Sequence, residues 1–299
     1  MKVIERKIPY RGRGTELRLY AVADVHLGNR ATDEARLDRT LDEIDGDANA
    51  LWLLLGDQCD YINQHDPRYD AASLPRWLYD AAYEQPKVGL AALQRDELVR
   101  RIAKRKTLGK KLLAVVEGNH EAMIRKYSET DSYVGLIEQI RADKEQQLAI
   151  GASGFLVLRF RRIAGAGEDR GGNGYTLRLY LHHGWGGGDL SGGVALKLER
   201  EMDRYDADLY LMGHHHKVQS SAQSRPITLN AALELVQPPD RMGAICGTYM
   251  RGRIADADTY AEAKGYRPSP VSSDVVVRIR PNQGAYSLEA RNSNQEAAL

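Results

Sequence analysis

Apolar positions along the chain follow two rhythms. Residues 50–57 (ALWLLLGD), 111–120 (KLLAVVEGNH) and 208–216 (DLYLMGHHH) are short continuous apolar runs that stop abruptly at Gly followed by Asp, Asn or His. Such runs predict buried strands of the parallel kind. Residues 155–163 (FLVLRFRRI) and 175–184 (YTLRLYLHHG) alternate apolar with polar, predicting strands joined through the glycine-rich 164–174. Helical spacing predicts helices over about 32–45, across much of 62–110, over about 120–146 and near 191–204. At the start, KVIERKIPY and TELRLYAVAD flank the turn-forming RGRG, which predicts a hairpin. The last third carries the strand-like PITLN and VVVRIR, and RNSNQEAAL (291–299) is expected to fray as a disordered tail. The order is β-α-β-α-β first and richer in antiparallel strands later. It predicts an α/β fold of mixed sheets flanked by helices, one domain over 1–290 with a helical insert at about 62–110.

Composition changes this picture little. The 299 residues are 42% hydrophobic and 28% charged with a net charge of +1, as expected of a folded, soluble chain without a global nucleic-acid or membrane bias. No apolar run approaches membrane-spanning length, and the first residues lack a signal-peptide core, so a cytoplasmic protein is expected. Two cysteines, Cys59 and Cys246, are too few for a disulfide framework.

Histidine placement is more informative. Seven of the eight histidines sit in four places: His26, His120, His182–His183 and His214–His216. Each lies at or just past a predicted strand end, and Asp57 marks a fifth. Carboxyl ends of strands are where open α/β sheets bind ligands. Taken singly, Asp24 or Asp57 could be a helix cap and the triple histidine a surface run. Taken together, Asp, Asn and His at five strand ends suit borderline divalent metals, manganese first, with iron, zinc or nickel as alternatives. The set exceeds the four ligands of one tetrahedral zinc and fits two ions.

In order, DVH, GDQCD, GNHE, HHG and GHHH (residues 24–216) resemble the five-motif signature of calcineurin-like metallophosphoesterases. The resemblance implies a four-layer sandwich of two mixed β-sheets flanked by helices, with a dinuclear metal site at one sheet edge. It implies that Asp24, His26 and His216 hold one metal, that Asn119, His183 and His214 hold the other, and that Asp57 bridges. His183 is preferred over His182 because it stands directly before Gly184. His120 would lie beside the phosphate as a catalytic group, with Asp60 hydrogen-bonding it and fixing its tautomer. Glu121 would be a first-turn helix acid. The implied reaction is in-line attack on phosphorus by a metal-activated water, with a phosphodiester as the expected substrate. Alternatives are a DNA or RNA nuclease, a phosphomonoesterase, and an inactive metal-binding scaffold. Tyr61-Ile62-Asn63 stands where the protein serine/threonine phosphatases carry Asp-Arg-Gly, so the likeness is to bacterial and phage-type members.

Two further features bear on substrate. Residues 95–111 hold eight Arg and Lys against Asp96 and Glu97, which fits either a helix tracking a nucleic-acid backbone or a solvated face. The loop His183–Gly188 offers glycine N–H groups to a phosphate and Trp185 to a base, or is simply a tight turn beside the metals. His215 is expected off the metals or toward substrate.

Overall fold

The computed structural model of the chain describes residues 1–128, 130–163, 174–187, 190–255, 259, 262 and 273–292. Most of the joining loop 164–174, Gly188 of the glycine-rich loop and residues 293–299 of the tail lie outside the described residues. The strands are β1 (Lys2–Tyr10), β2 (Leu17–Val22), β3 (Ala50–Leu55), β4 (Leu112–Val116), β5 (Ala149–Gly151), β6 (Ser153–Arg162) and β7 (Tyr175–His182). They continue with β8 (Leu209–Met212), β9 (Gln219–Gln223), β10 (Thr228–Leu229), β11 (Leu235–Val236), β12 (Arg241–Ile245), β13 (Ser273–Arg280) and β14 (Ala285–Asn292). The helices are α1 (Glu34–Gly46), α2 (Arg76–Glu84), α3 (Leu90–Ala103), α4 (Leu108–Lys111), α5 (Asn119–Ile124), α6 (Ser132–Ile140) and α7 (Ser191–Arg204).

Two six-stranded sheets, ordered β1-β6-β7-β8-β12-β9 and β14-β13-β2-β3-β4-β5, mix parallel and antiparallel pairs. Period-two alternation explains why the central strands read as continuous apolar runs. In β3, Leu53 and Leu55 point into the core between the sheets, whereas Trp52 and Leu54 point outward into a second core that also holds residues of α1, α3 and α6. In β8, Leu209 and Leu211 join the inter-sheet core, while Tyr210 and Met212 pack with Val194, Leu198 and Met202 of α7. Both faces are therefore covered, and the chain forms the α/β/β/α layering that the five motifs implied.

The expected N-terminal hairpin does not form. β1 pairs in parallel with β6, from Lys2 opposite Gly154 to Tyr10 opposite Arg162, while β2 lies in the other sheet between β13 and β3. The burial patterns explain the divergence. β1 alternates as an edge strand should, whereas β2 is buried on both faces and belongs inside a sheet. RGRG thus carries the chain from one sheet to the other.

The basic stretch 95–111 also resolves differently from a backbone-tracking helix. It spans α3, a turn and α4, and several of its cations face an acidic stripe on α1. Arg101, with 8% of its side chain exposed, pairs with Glu34, Asp38 and Glu97. Arg105 pairs with Asp38 and Asp42, and Lys111 donates to the carbonyls of Ile44, Asp45 and Asp47. Arg100 pairs with Glu97 and Arg95 with Asp96. Much of the charge joins the insert to α1.

Candidate metal centre

β2, β3, β4, β7 and β8 end side by side, and the loops leaving them carry the motif residues. The first two loops run together: His26 N–H donates to the Asp57 carbonyl at 2.9 Å, and Asp24 N–H to the Gly56 carbonyl at 3.2 Å. Glu121 joins the third loop to the second. Its carboxylate accepts from the backbone N–H groups of Gly118, Asp57 and Gln58 at 2.8–2.9 Å. Burial, with the Asp57 charge, pushes its carboxyl up to about 7, and the three donors favour the ionised form. Glu121 is a first-turn acid of α5, as expected, and also ties two motif loops together.

The backbone is strained where chemistry is expected. Among the described residues, seven non-glycine residues lie in the left-handed region, and five of them are Asp24, His26, Asp57, His214 and His216. Such conformations cost about 1–3 kcal/mol each and cluster at functional sites.

Among the described residues, side chains that could hold a metal converge in three groups; one is His26, Asp60 and His120, and the other two contain the expected ligands. In the first of these two, His26 Nε2 and His216 Nε2 face each other at 3.1 Å, and Asp24 Oδ1 lies 3.4 Å from His216 Nε2. In the second, Asn119 Oδ1 lies 3.0 Å from His183 Nε2 and 2.8 Å from His214 Nδ1. Asp57 Oδ2 stands between them, 3.8 Å from His26 Nε2 and 3.3 Å from His183 Nε2. The other oxygens of both aspartates are occupied. Asp57 Oδ1 accepts from His120 N–H at 2.9 Å, and Asp24 Oδ2 from His214 N–H at 2.8 Å.

This donor set fits divalent cations. Asp24 Oδ1 is buried and has no hydrogen-bond partner among the described residues. His183 Nδ1 lies 2.8 Å from the Leu55 carbonyl and His214 Nε2 lies 2.8 Å from the Gly186 carbonyl, each as a donor. Their remaining nitrogens turn toward the carboxylate and amide oxygens, and such backbone partners orient metal-ligating histidines. A cation relieves acceptors that meet without a donor; without one, a proton serves. Burial pulls His183 down, yet Asp57 and then Asp24 carry it up to about 10. Burial likewise works to raise Asp57, but His120, His183 and His26 hold it well below the usual carboxylate range.

His120 lies beside this set, its Nε2 3.9 Å from Asp57 Oδ2. The expected Asp60 partnership exists through a different atom. His120 Nδ1 donates to the Asp60 backbone carbonyl, while the carboxylate stands 3.8 Å away. That carboxylate instead approaches His26 Nδ1 at 3.3 Å and accepts from Asn29 Nδ2 at 3.2 Å. Burial disfavours the His120 imidazolium, but Asp57 and Asp60 raise its pKa overall.

Trp185 and His215 are the residues expected near substrate. Trp185 packs edge-to-face on His182, with ring centroids 5.1 Å apart, and joins the apolar cluster that includes residues of α7. Lys197 of α7 takes the carbonyls of Trp185 and Gly187 at 2.9 and 2.8 Å. The glycine-rich loop thus presents these carbonyls to a lysine, and Trp185 packs as a partly buried side chain at its start. His215 is buried beside His214, and burial, with Lys197 and His214 nearby, lowers its pKa to about 3. His182 Nδ1 accepts from Gly184 N–H at 2.6 Å. His183 joins the converging set, as its place before glycine implied.

Sequence reading missed Thr248, whose hydroxyl donates to the Asp24 carbonyl at 2.8 Å, and Arg68, whose Nη1 lies 3.3 Å from His120 Nε2. Neither belongs to a motif, and no local spacing marks them. The motif glycines, by contrast, are required by contact. A Cβ on Gly118 would stand 2.1 Å from Asp57 Oδ1 and 2.2 Å from Asp57 N. Gly118→Ala is therefore expected to lower the melting temperature by roughly 3–10 °C, from about 1–3 kcal/mol of overpacking, and to reduce bound metal. An unchanged melting curve with full metal content would contradict this packing.

The sequence model of the calcineurin-like phosphoesterase family matches residues 17–218. Among curated proteins no match was found. Solved structures similar to the chain include a metallophosphoesterase from Sphaerobacter thermophilus, 15% identical, TM-score 0.37, covering 92% of this chain and 89% of that one. The calcineurin-like phosphoesterase YfkN from Bacillus subtilis is 11% identical, TM-score 0.36, covering 93% and 91%. A predicted phosphoesterase from Streptococcus pneumoniae is 10% identical, TM-score 0.35, covering 93% and 99%. Among the described residues no helix is long and apolar enough to cross a membrane. With more than half its length matched by the family model, this chain belongs to the calcineurin-like phosphoesterases, metal-dependent hydrolases of phosphoric esters.

Proposed function

We propose that the chain is a two-metal phosphodiesterase of the bacterial and phage type, its catalytic unit one domain over residues 1–290. The observation that carries this reading is the position of Asp57 Oδ2 between two convergent ligand groups, with His120 Nε2 facing the same oxygen. Asp24, His26 and His216 would hold one ion, Asn119, His183 and His214 the other, and Asp57 both. Divalent ions held there, manganese being the expected pair, supply Lewis-acid charge and make a water molecule acidic near neutral pH. The chain's own residues do the rest. His120, fixed by the Asp60 carbonyl at Nδ1, directs Nε2 to the phosphate, where it gives a proton to the departing alkoxide. Asp60 orients His26 through its carboxylate.

The diester is the substrate expected from the likeness to bacterial and phage-type phosphoesterases. The nuclease reading loses its main support, because Arg101, Arg105 and Lys111 are engaged with α1 and the residues just after it. The scaffold reading conflicts with the presence of Asp57, Asn119 and His120. The test compares a chromogenic diester with its monoester. A kcat/KM higher for the diester supports the proposal; turnover confined to the monoester would replace it with a phosphatase.

A further inference from the structure

Residues 62–70 leave the second motif and fold back over the site. Their conformation is set locally by short polar side chains. Asn63 Oδ1 accepts from His65 N–H at 2.9 Å, and Asp66 Oδ1 accepts from Arg68 N–H at 2.8 Å. Asp66 then takes the side of the Arg68 guanidinium in a fork, Nε at 3.0 Å to Oδ1 and Nη2 at 2.8 Å to Oδ2. A fork of this kind fixes the plane as well as the position of the group. It leaves Nη1 aimed at His120 Nε2, 3.3 Å away. The His120 Nδ1–H is committed to the Asp60 carbonyl, so Nε2 offers its lone pair and Arg68 is the donor. About one-third of the Arg68 side chain remains exposed, so the group sits at the opening of the site.

We propose that Arg68 is a phosphate-binding residue contributed by the segment between the second motif and α2, gripping a non-bridging oxygen of the scissile phosphate beside His120. This deepens the phosphodiesterase reading and rests on it. The guanidinium is matched to phosphate oxygens and is always charged. With no substrate bound, its outward N–H is parked on His120 Nε2. An entering phosphate offers a charged acceptor in place of a neutral imidazole, which makes a stronger hydrogen bond, and it frees Nε2 to take up a proton from solvent, which Nε2 then gives to the leaving oxygen. The Asp66 fork stays in place throughout, so the donor is pre-oriented and little side-chain freedom is lost on binding.

The test measures steady-state kinetics on a chromogenic phosphodiester, and competitive inhibition by inorganic phosphate, for metal-loaded wild type, Arg68→Ala, Arg68→Lys and Asp66→Ala. Metal content and melting temperature are followed in each. For Arg68→Ala, KM and the phosphate inhibition constant should both rise about tenfold to a hundredfold, the scale of one charge-assisted hydrogen bond, with metal content unchanged. Arg68→Lys should recover part of the loss, and Asp66→Ala should give a smaller rise in the same two constants. A fall in melting temperature with KM and phosphate inhibition unmoved would make Arg68 a structural tie and overturn the proposal. Wild type that binds two ions yet hydrolyses no diester would remove the phosphodiesterase reading, and this one with it. Active wild type with an indifferent Arg68→Ala would remove only this one.

Discussion

Replacing Asp57 with Ala should empty both metal positions at once and reduce diester hydrolysis by roughly three orders of magnitude or more. Asp57 Oδ2 lies within 4 Å of ring nitrogens from both ligand groups, His26 and His183. Loss of the Lewis-acid charge removes several kcal/mol of transition-state stabilisation, and each 1.36 kcal/mol is about tenfold in rate. The substitution also frees the His120 N–H that Asp57 Oδ1 accepts, so Asp57→Asn is the sharper variant. It keeps that acceptor and much of the shape while removing the charge. Elemental analysis should find less than one ion per chain in Asp57→Ala and reduced occupancy in Asp57→Asn. Two ions in either variant would sink the bridging role.

The second large effect is expected at His120, and its signature is the opposite split. His120→Ala should keep its metals and lose about two to four orders of magnitude in turnover, the usual range for a general acid or base. Its side chain lies against the Asp60 carbonyl, Arg68 and the His26 ring, with Nε2 3.9 Å from Asp57 Oδ2. His120→Asn can accept or donate near the same place but cannot deliver a proton near neutral pH, so it should be comparably slow. Leaving-group dependence separates the role further. A diester with an acidic phenol as leaving group needs less protonation, so its loss in His120→Ala should be smaller than that of an alkyl diester. A variant that loses metal in step with activity would reassign His120 as a ligand.

Legibility in the sequence followed the range of the interactions. The candidate ligands were readable because each motif is a strand end: a short apolar run sets the strand, and the polar residues just past it have nowhere else to point. The buried, parallel character of β3, β4 and β8 was implied by the same runs. Partners set by distant chain were not readable. β1 looks like half of a hairpin, yet its partner β6 begins at Ser153, and local alternation carries no information about that choice. The basic stretch is a middle case. Glu34, Asp38 and Asp42 recur at four-residue spacing in α1, an acidic stripe visible in the sequence that announces a basic partner without naming α3. Asp60 marks a finer limit. Spacing brings it to His120, but only the backbone path through Tyr61, with φ at 52°, sets the carbonyl toward one histidine and the carboxylate toward the other. The packing of the glycine-rich loop was out of reach for a related reason, since the lysine that takes the Trp185 carbonyl lies 12 residues further along, on α7.

The most direct measurement is a metal titration of the ion-free protein, following bound ions per chain and diester hydrolysis together. Binding should saturate at two ions, with hydrolysis developing fully only as the second is bound and lost again on chelation. Saturation at a single ion with full activity, or activity that survives chelation, would contradict a two-metal centre.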